Sequence, residues 1–309
     1  MDFSKQKKTF KLIIKQRQLI MMTIPVLVSL VLFNFIPLWG WYMAFVDYKI
    51  GRPFTEQTFV GLKHFITLFS DVMFKNALRN TLIMSVLGIT INGFIMPIFF
   101  AVLLNEIRVL KFKKAVQTVS YLPHFVSWVV AAGIVIQSLS IENGIINDVL
   151  MGLRIIDSPI NFLSYPKYFY GIVTISNLWK SLGWSSIIFL AAITGVDPEL
   201  AEAANVDGAG RLRRIWHITI PAIMPVVTIL LIMSISGLLG ANIEVIMLLS
   251  NPITIETADV LPYYALRYGI RLGRYSFGTA VGIFTSVIAV ILVYTANVIA
   301  RRYSETSLF

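Results

Sequence analysis

Few side chains in this sequence are of a type and spacing to make or break a bond. Its three histidines (His64, His124, His217) lie far apart with no HExxH-like spacing, and it has no cysteine, so no metal or thiolate site is expected. No GxxxxGK[ST] run is present to cradle nucleotide phosphates. What remains are polar groups set in apolar surroundings. Lys180 stands in "ISNLWKSLGWSSIIF" between Trp179 and Trp184, with Asn177 in the same run, and Asn92, Asn242 and Glu244 interrupt other apolar runs. Such groups suit reversible binding in a pathway. A lysine can meet a carboxylate or hydroxyl of a ligand while a tryptophan covers an apolar face of it. The alternatives are a lysine that snorkels or pairs structurally, amides that bond helix to helix, and aromatics such as Tyr121 and Trp128 that pack in the core.

The elements that must hold these groups follow from composition. Of 309 residues, 57% are hydrophobic and only 14% charged, against about 25% charged in soluble domains. Such an excess belongs in lipid. A hydrocarbon core about 30 Å thick needs roughly 20 apolar residues in a helix, and six runs qualify: 19–45, 77–104, 116–139, 170–194, 220–249 and 277–300. Backbone polar groups in lipid must be paired internally, so runs of this length predict helices. The expected fold is an all-α membrane protein with six transmembrane helices. The first run is too long for a secretory h-region and lacks an A-x-A-like site, which predicts an uncleaved anchor.

Basic residues orient these helices. Lys5, Lys7, Lys8, Lys11, Lys15 and Arg17 precede the first run, and Arg108, Lys111, Lys113 and Lys114 follow the second. Arg211, Arg213 and Arg214 follow the fourth, and Arg301 and Arg302 the sixth. The positive-inside rule then places both termini in the cytoplasm. The net charge of +10 is thereby a topology signal, with no nucleic-acid partner implied. The expected organisation is a basic cytoplasmic tail (1–18), a first helix (19–46), an outer loop with an amphipathic helix (47–76), a five-helix core (77–300) and a cytoplasmic tail (301–309). The amphipathic helix is read from Leu62, Phe65, Ile66, Leu68, Phe69 and Met73.

The most distinctive segment, "DPELAEAANVDGAGRLRRIWH" (197–217), falls on the cytoplasmic side. Asp197 can cap a helix with Pro198 in its first turn, "ELAEAANV" continues it, and Asp207-Gly208 ends it. A second short helix is expected over about 211–218. The result is a helix–turn–helix elbow too short to persist alone in water. Alanines 201, 203 and 204 allow close approach to a partner, and Glu199 and Glu202 share a face.

This stretch resembles the EAA signature of permease subunits in bacterial ATP-binding-cassette importers, on Glu202, Ala203, Ala204, Asp207, Gly208, Ala209, Pro221 and Pro225. "YLPHFVSWVV", "WKSLGWSSIIFLAAI" and "NPITIETADVLPYYALRYGI" are similar to the carbohydrate branch, nearest to permeases for polysaccharides and complex oligosaccharides. Two departures from that branch are Glu244 in "GANIEVIML" and Pro262 in "VLPYY". The resemblance implies a type I importer permease fold, with both termini inside, in the bacterial cytoplasmic membrane. It implies an elbow that couples to an ATPase through Glu199, Leu200, Glu202, Ala203, Ala204, Asp207, Gly208, Ala209 and Arg211. Implied partners are a second homologous permease in a heterodimer, two ATP-binding subunits carrying ATP and Mg, an extracytoplasmic solute-binding lipoprotein, a carbohydrate and membrane lipid. This chain itself would hold no cofactor and catalyse nothing. Tyr263, Tyr264, Arg267 and Tyr268 of the last outer loop are candidate contacts for the binding protein. The competing expectation is an ion-coupled secondary transporter of a small polar solute, because sodium coupling can use carbonyls and hydroxyls alone.

Overall fold

Apolar stretches become long helices in the computed structural model, which describes residues 16–303. The basic tail before Gln16 and the end beyond Tyr303 therefore lie outside the described residues. Four helices are long and apolar enough to cross a membrane: α1 (Arg17–Phe45), α3 (Val72–Glu106), α9 (Arg211–Ser236) and α13 (Tyr275–Tyr303). Between α1 and α3 lie a two-residue antiparallel pairing of β1 (Val46–Asp47) with β2 (Thr58–Phe59) and helix α2 (Lys63–Ser70).

Two of the expected spans are broken, and both breaks have a local cause. The third run divides into α4 (Leu110–Phe125) and α5 (Trp128–Ser138), which meet at 103°. Pro123 sits at the break, where its missing N–H and its ring prevent the α-helix from continuing. Ser127 then caps α5 by accepting the N–H of Val130 at 3.4 Å. The fifth run divides likewise. Helix α9 stops at Ser236, and turns at Gly237 and Gly240 lead to α10 (Ile243–Leu249), capped by Asn242 accepting the N–H of Glu244 at 3.2 Å. Glu244 thus stands exposed in the first turn of a separate short helix.

Helix α7 (Phe169–Thr194) has 26 residues, about 39 Å at 1.5 Å per residue. It is long enough to cross a bilayer but less apolar than the four spans, because polar side chains occupy its middle. Helix α6 (Ile145–Gly152) precedes it. The buried residues of α7 account for its central place. Phe189, Leu190 and Ile193 pack with Phe94, Ala101 and Leu104 of α3 and Ile223 of α9. Phe169 and Val173 pack with Met84 of α3, Ala132 of α5 and Val245, Ile246 and Leu249 of α10.

The chain after α10 forms α11 (Ile255–Ala258) and α12 (Leu261–Tyr264), laid across the ends of α3 and α7. A polar hub fixes it there. Asn80, fully buried, donates to the carbonyls of Glu256 and Asp259 at 2.8 and 2.9 Å and accepts from the Tyr170 hydroxyl at 2.7 Å. Thr81 accepts the N–H of Leu261 at 2.8 Å. Unpaired, these groups would each cost about 1–3 kcal/mol. The hub also marks one end of α7, opposite the end that leads to residue 197.

The amphipathic helix of the first loop is shorter than its sequence pattern predicts. Asp71 caps α3 by accepting the N–H of Met73 at 2.8 Å, so residues 72–80 belong to α3. Helix α2 buries Leu68 and sets Phe65 and Phe69 against α13, while Leu62 and Ile66 remain exposed. Along α1, no residue of the most apolar window is buried; its end joins the body through Ala44, beside Ala280 and Ile283.

Candidate functional site: a polar cleft and an exposed elbow

Three of the amides singled out in the sequence converge. Asn92 of α3, Asn177 of α7 and Asn242 line one cleft of about 240 Å³, together with Ser85, Gly88, Ser181, Gly237 and Gly240. Among the described residues no charged side chain lines it. Asn92 lies in a π-helical stretch of α3 (Gly88–Ile95), a widened turn of a kind often found at functional sites. Its Oδ1 is buried without a hydrogen-bond partner. Asn177 donates to the Val173 carbonyl at 2.9 Å, and its side chain lines this cleft. The arrangement offers amide and hydroxyl groups to a neutral, hydroxyl-rich ligand, since unpaired buried acceptors demand donors.

The other pathway candidates lie elsewhere. Lys180 is 8% exposed, and its ammonium donates to the His124 carbonyl at 2.8 Å while lying 5.3 Å from the Trp128 ring. It supports the break in the third run, where a carbonyl released from the helix needs a donor. Trp184, one turn on, stacks on the His124 ring at 4.5 Å. Gly183 lets the two segments touch: a Cβ there would collide with the Ser120 carbonyl oxygen and lie 2.8 Å from the Tyr121 ring. The residues around Lys180 therefore form a clasp on the break, and the half-buried Tyr121 belongs to that clasp. Trp179 is 41% exposed. Among the described residues no ion pair joins Lys180 to Glu244.

The last loop also needs correction. Tyr264 is fully buried, donates its hydroxyl to Asp71 and packs against Phe74 and Phe277; Tyr263 is 8% exposed. Both are core residues instead of contacts for a partner. Burial and the neighbouring Asp71 carboxylate push the Tyr264 hydroxyl well above the ordinary phenol range. Arg267 and Tyr268 keep partial exposure. Arg267 is held 2.7 Å from Asp259 and lies over the Tyr263 and Tyr268 rings. Burial raises the Asp259 carboxyl to about 6, with Arg267 opposing the shift.

At the opposite end of α7 the elbow has the capping expected of it. Helix α8 (Pro198–Val206) starts where Asp197 accepts the N–H of Glu199 at 2.9 Å. It ends at Asp207, and Gly208 turns the chain at φ +75°, a conformation that costs glycine little. The expected second short helix is instead the first turns of α9, continuous with the membrane run. Arg214 donates to Asn205 at 2.6 Å and ties α8 to α9. None of the elbow's residues is buried: Glu199, Glu202, Ala203, Asp207, Gly208 and Arg211 are exposed, Ala204 and Ala209 partly so. Its apolar side chains stand in the open, with Leu200, Val206 and Leu212 at 53%, 88% and 74% exposure.

A family profile described as the binding-protein-dependent transport system inner membrane component matches residues 93–305, which include α7, the elbow and α9. The chain belongs to that family. The resemblance read from the EAA stretch is thereby borne out, and the protein is a membrane component of a transport system. The polygalacturonan/rhamnogalacturonan transport system permease protein YteP of Bacillus subtilis is 41% identical, over 99% of this chain and 95% of its own. Protein LplB of the same organism is 38% identical, over 96% and 92%. A bacterial ABC transporter involved in the import of the acidic polysaccharide alginate has a chain of the same fold, with TM-score 0.87 and 39% identity over 96% of this chain and 99% of that one. A second structure of a bacterial alginate ABC transporter, in complex with an alginate pentasaccharide-bound periplasmic protein, aligns with TM-score 0.88 at 39% identity, over 97% of this chain and 99% of that one.

The cleft also contains residues that the sequence reading passed over. Ser181 lies four residues after Asn177, a spacing that shares a helix face and was visible in principle. Ser85 and the glycines at 88, 237 and 240 gave no signal of convergence, because they are distant in the chain. Asn80 and Asp259 were missed for the same reason.

Proposed function

We propose that this chain is a transmembrane permease subunit of an ATP-driven importer that carries a complex oligosaccharide or polysaccharide across the bacterial cytoplasmic membrane. The reading has six passes, with α7 and the broken α4–α5 pair completing the four apolar spans and both termini inside. A second homologous permease completes the pathway, and two ATPase subunits holding ATP and Mg dock on the paired elbows. An extracytoplasmic binding lipoprotein delivers the sugar at the other end. Closure of the ATPases moves α8, and α7 and α9 transmit that motion in alternating access. Relatives named for polygalacturonan/rhamnogalacturonan and alginate support a saccharide as cargo.

The observation that carries this reading is the elbow. It is a capped helix with apolar side chains held in the open, about 26 Å along α7 from Asn177. A short surface helix of this kind is completed by a partner. The test is sugar uptake and sugar-stimulated ATP hydrolysis by the complete transporter in proteoliposomes. Glu202→Lys and Gly208→Asp are expected to abolish both while leaving membrane insertion intact. Normal uptake by both variants, or solute transport by this chain with no ATPase attached, would overturn the proposal.

A further inference from the structure

A second cavity, of about 360 Å³, lies where the end of α1 meets the start of α13. Asp47, Lys49, Lys63, His64, Arg274 and Ser276 are among its polar lining residues. Three permanent cations face a single carboxylate there. Lys63 is 2.9 Å and His64 3.2 Å from Asp47, and the Lys63 hydrogen bond holds that carboxyl below its ordinary range. Lys49 and Arg274 have no acidic partner among the described residues. The cavity therefore keeps about two positive charges with nothing of its own to balance them.

The frame around those charges is fixed. Gln57 accepts the N–H of Lys49 at 2.8 Å and donates to the carbonyls of Lys49 and Arg52 at 3.1 and 2.8 Å. Ser276 accepts the N–H of Tyr48 at 2.9 Å and donates to the Val46 carbonyl at 2.7 Å. The Arg274 guanidinium lies 4.5 Å from the Phe277 ring. The cavity's height is fixed too, because it separates the ends of two spans. Tyr48 and Tyr275, with ring centres 6.1 Å apart, stand at the rim, and such aromatics occupy the headgroup level of a bilayer.

We propose that this cavity binds the phosphodiester of an anionic phospholipid, in the leaflet at the end of the bundle opposite the elbow. Lys49 and Arg274 pair with the phosphate oxygens, Lys63 adds charge from the Asp47 side, and Tyr48 and Tyr275 pack against the glycerol and upper acyl chains. Basic pockets beside membrane helices recognise headgroups in this way.

The test is native mass spectrometry of the intact transporter after exchange into bicelles of mixed phosphatidylglycerol and phosphatidylcholine. The wild type is expected to retain phosphatidylglycerol preferentially. Lys49→Gln and Arg274→Gln should each weaken that retention about fivefold, and the double variant about twenty-five-fold, from the contribution of one basic residue near a membrane surface. Both side chains are exposed, so the folded transporter should be recovered. Asp47→Asn should shift retention the other way. Equal retention of the two lipids, or an unchanged double variant, would overturn the proposal. Displacement of the lipid by millimolar inorganic phosphate would overturn the assignment to lipid.

Discussion

Gly183→Ala isolates the contact between α7 and the broken third run. The new Cβ would lie 2.5 Å from the Ser120 carbonyl carbon and 2.8 Å from the Tyr121 ring, besides colliding with the Ser120 oxygen. Carbon atoms rest at about 3.5–4.0 Å, so the two backbones would have to separate by about 1 Å. The obstacle is backbone, which no rotamer change can clear. Overpacking of this kind costs about 1–3 kcal/mol. Replacing a helical glycine with alanine by itself favours the helix by about 1 kcal/mol, so a suitable control is Gly171→Ala, on the same helix with nothing within 4 Å of its Cβ. The thermal unfolding midpoint of the detergent-solubilised transporter should fall for Gly183→Ala and hold or rise for Gly171→Ala. The separation would also move Lys180 and Trp184 away from His124, so uptake should fall with stability. Equal midpoints for the two variants would refute the close approach and the clasp built on it.

Lys180→Met removes the donor to the His124 carbonyl and should cost about 1.5–3 kcal/mol, the range for a hydrogen bond to a charged group; it should lower unfolding midpoints without changing the preference between acidic and neutral sugars in uptake assays. Asp197→Ala should weaken the start of α8 by about 1 kcal/mol, seen as faster amide exchange in residues 198–206 with unchanged exchange in α7. The Asp259 carboxyl, held at about 6 against an ordinary value of 3.8, keeps its proton in the folded state over a window where the unfolded chain has lost it. Its contribution to stability is therefore present below about pH 4 and is lost as pH rises through 6. Unfolding midpoints of the wild type should decline relative to Asp259→Asn between pH 4 and 6.5, and parallel curves would dismiss this assignment.

What could be read from the chain was whatever rests on neighbouring residues. The caps of α8 are local chemistry, and Asp197, Pro198 and Gly208 announce them within a dozen positions. Long apolar runs announce the spans because lipid imposes the requirement on each helix separately. The break at Pro123 was also written in the sequence; it was passed over because the apolar composition continues through it, and composition does not register a lost N–H. The two glycines at 237 and 240 were hidden in the same way. Lys180 is a different case. Its type and setting point equally to a ligand or to a carbonyl, and the choice is made by His124, 56 residues away. Asn80 and Tyr264 likewise take their roles from partners more than 170 positions distant.

The polarity of α7 bears on how the molecule is made. With Asn177, Lys180, Ser181, Ser185 and Ser186 along one helix, this segment partitions reluctantly from the translocation channel; a lysine near mid-membrane alone disfavours entry by about 2.5–3.5 kcal/mol. The group that relieves much of this cost, the His124 carbonyl, is synthesised earlier in the chain. Nascent α7 would then leave the channel against a surface already waiting for it, and the order of synthesis would act as a chaperone for the least greasy helix of the bundle.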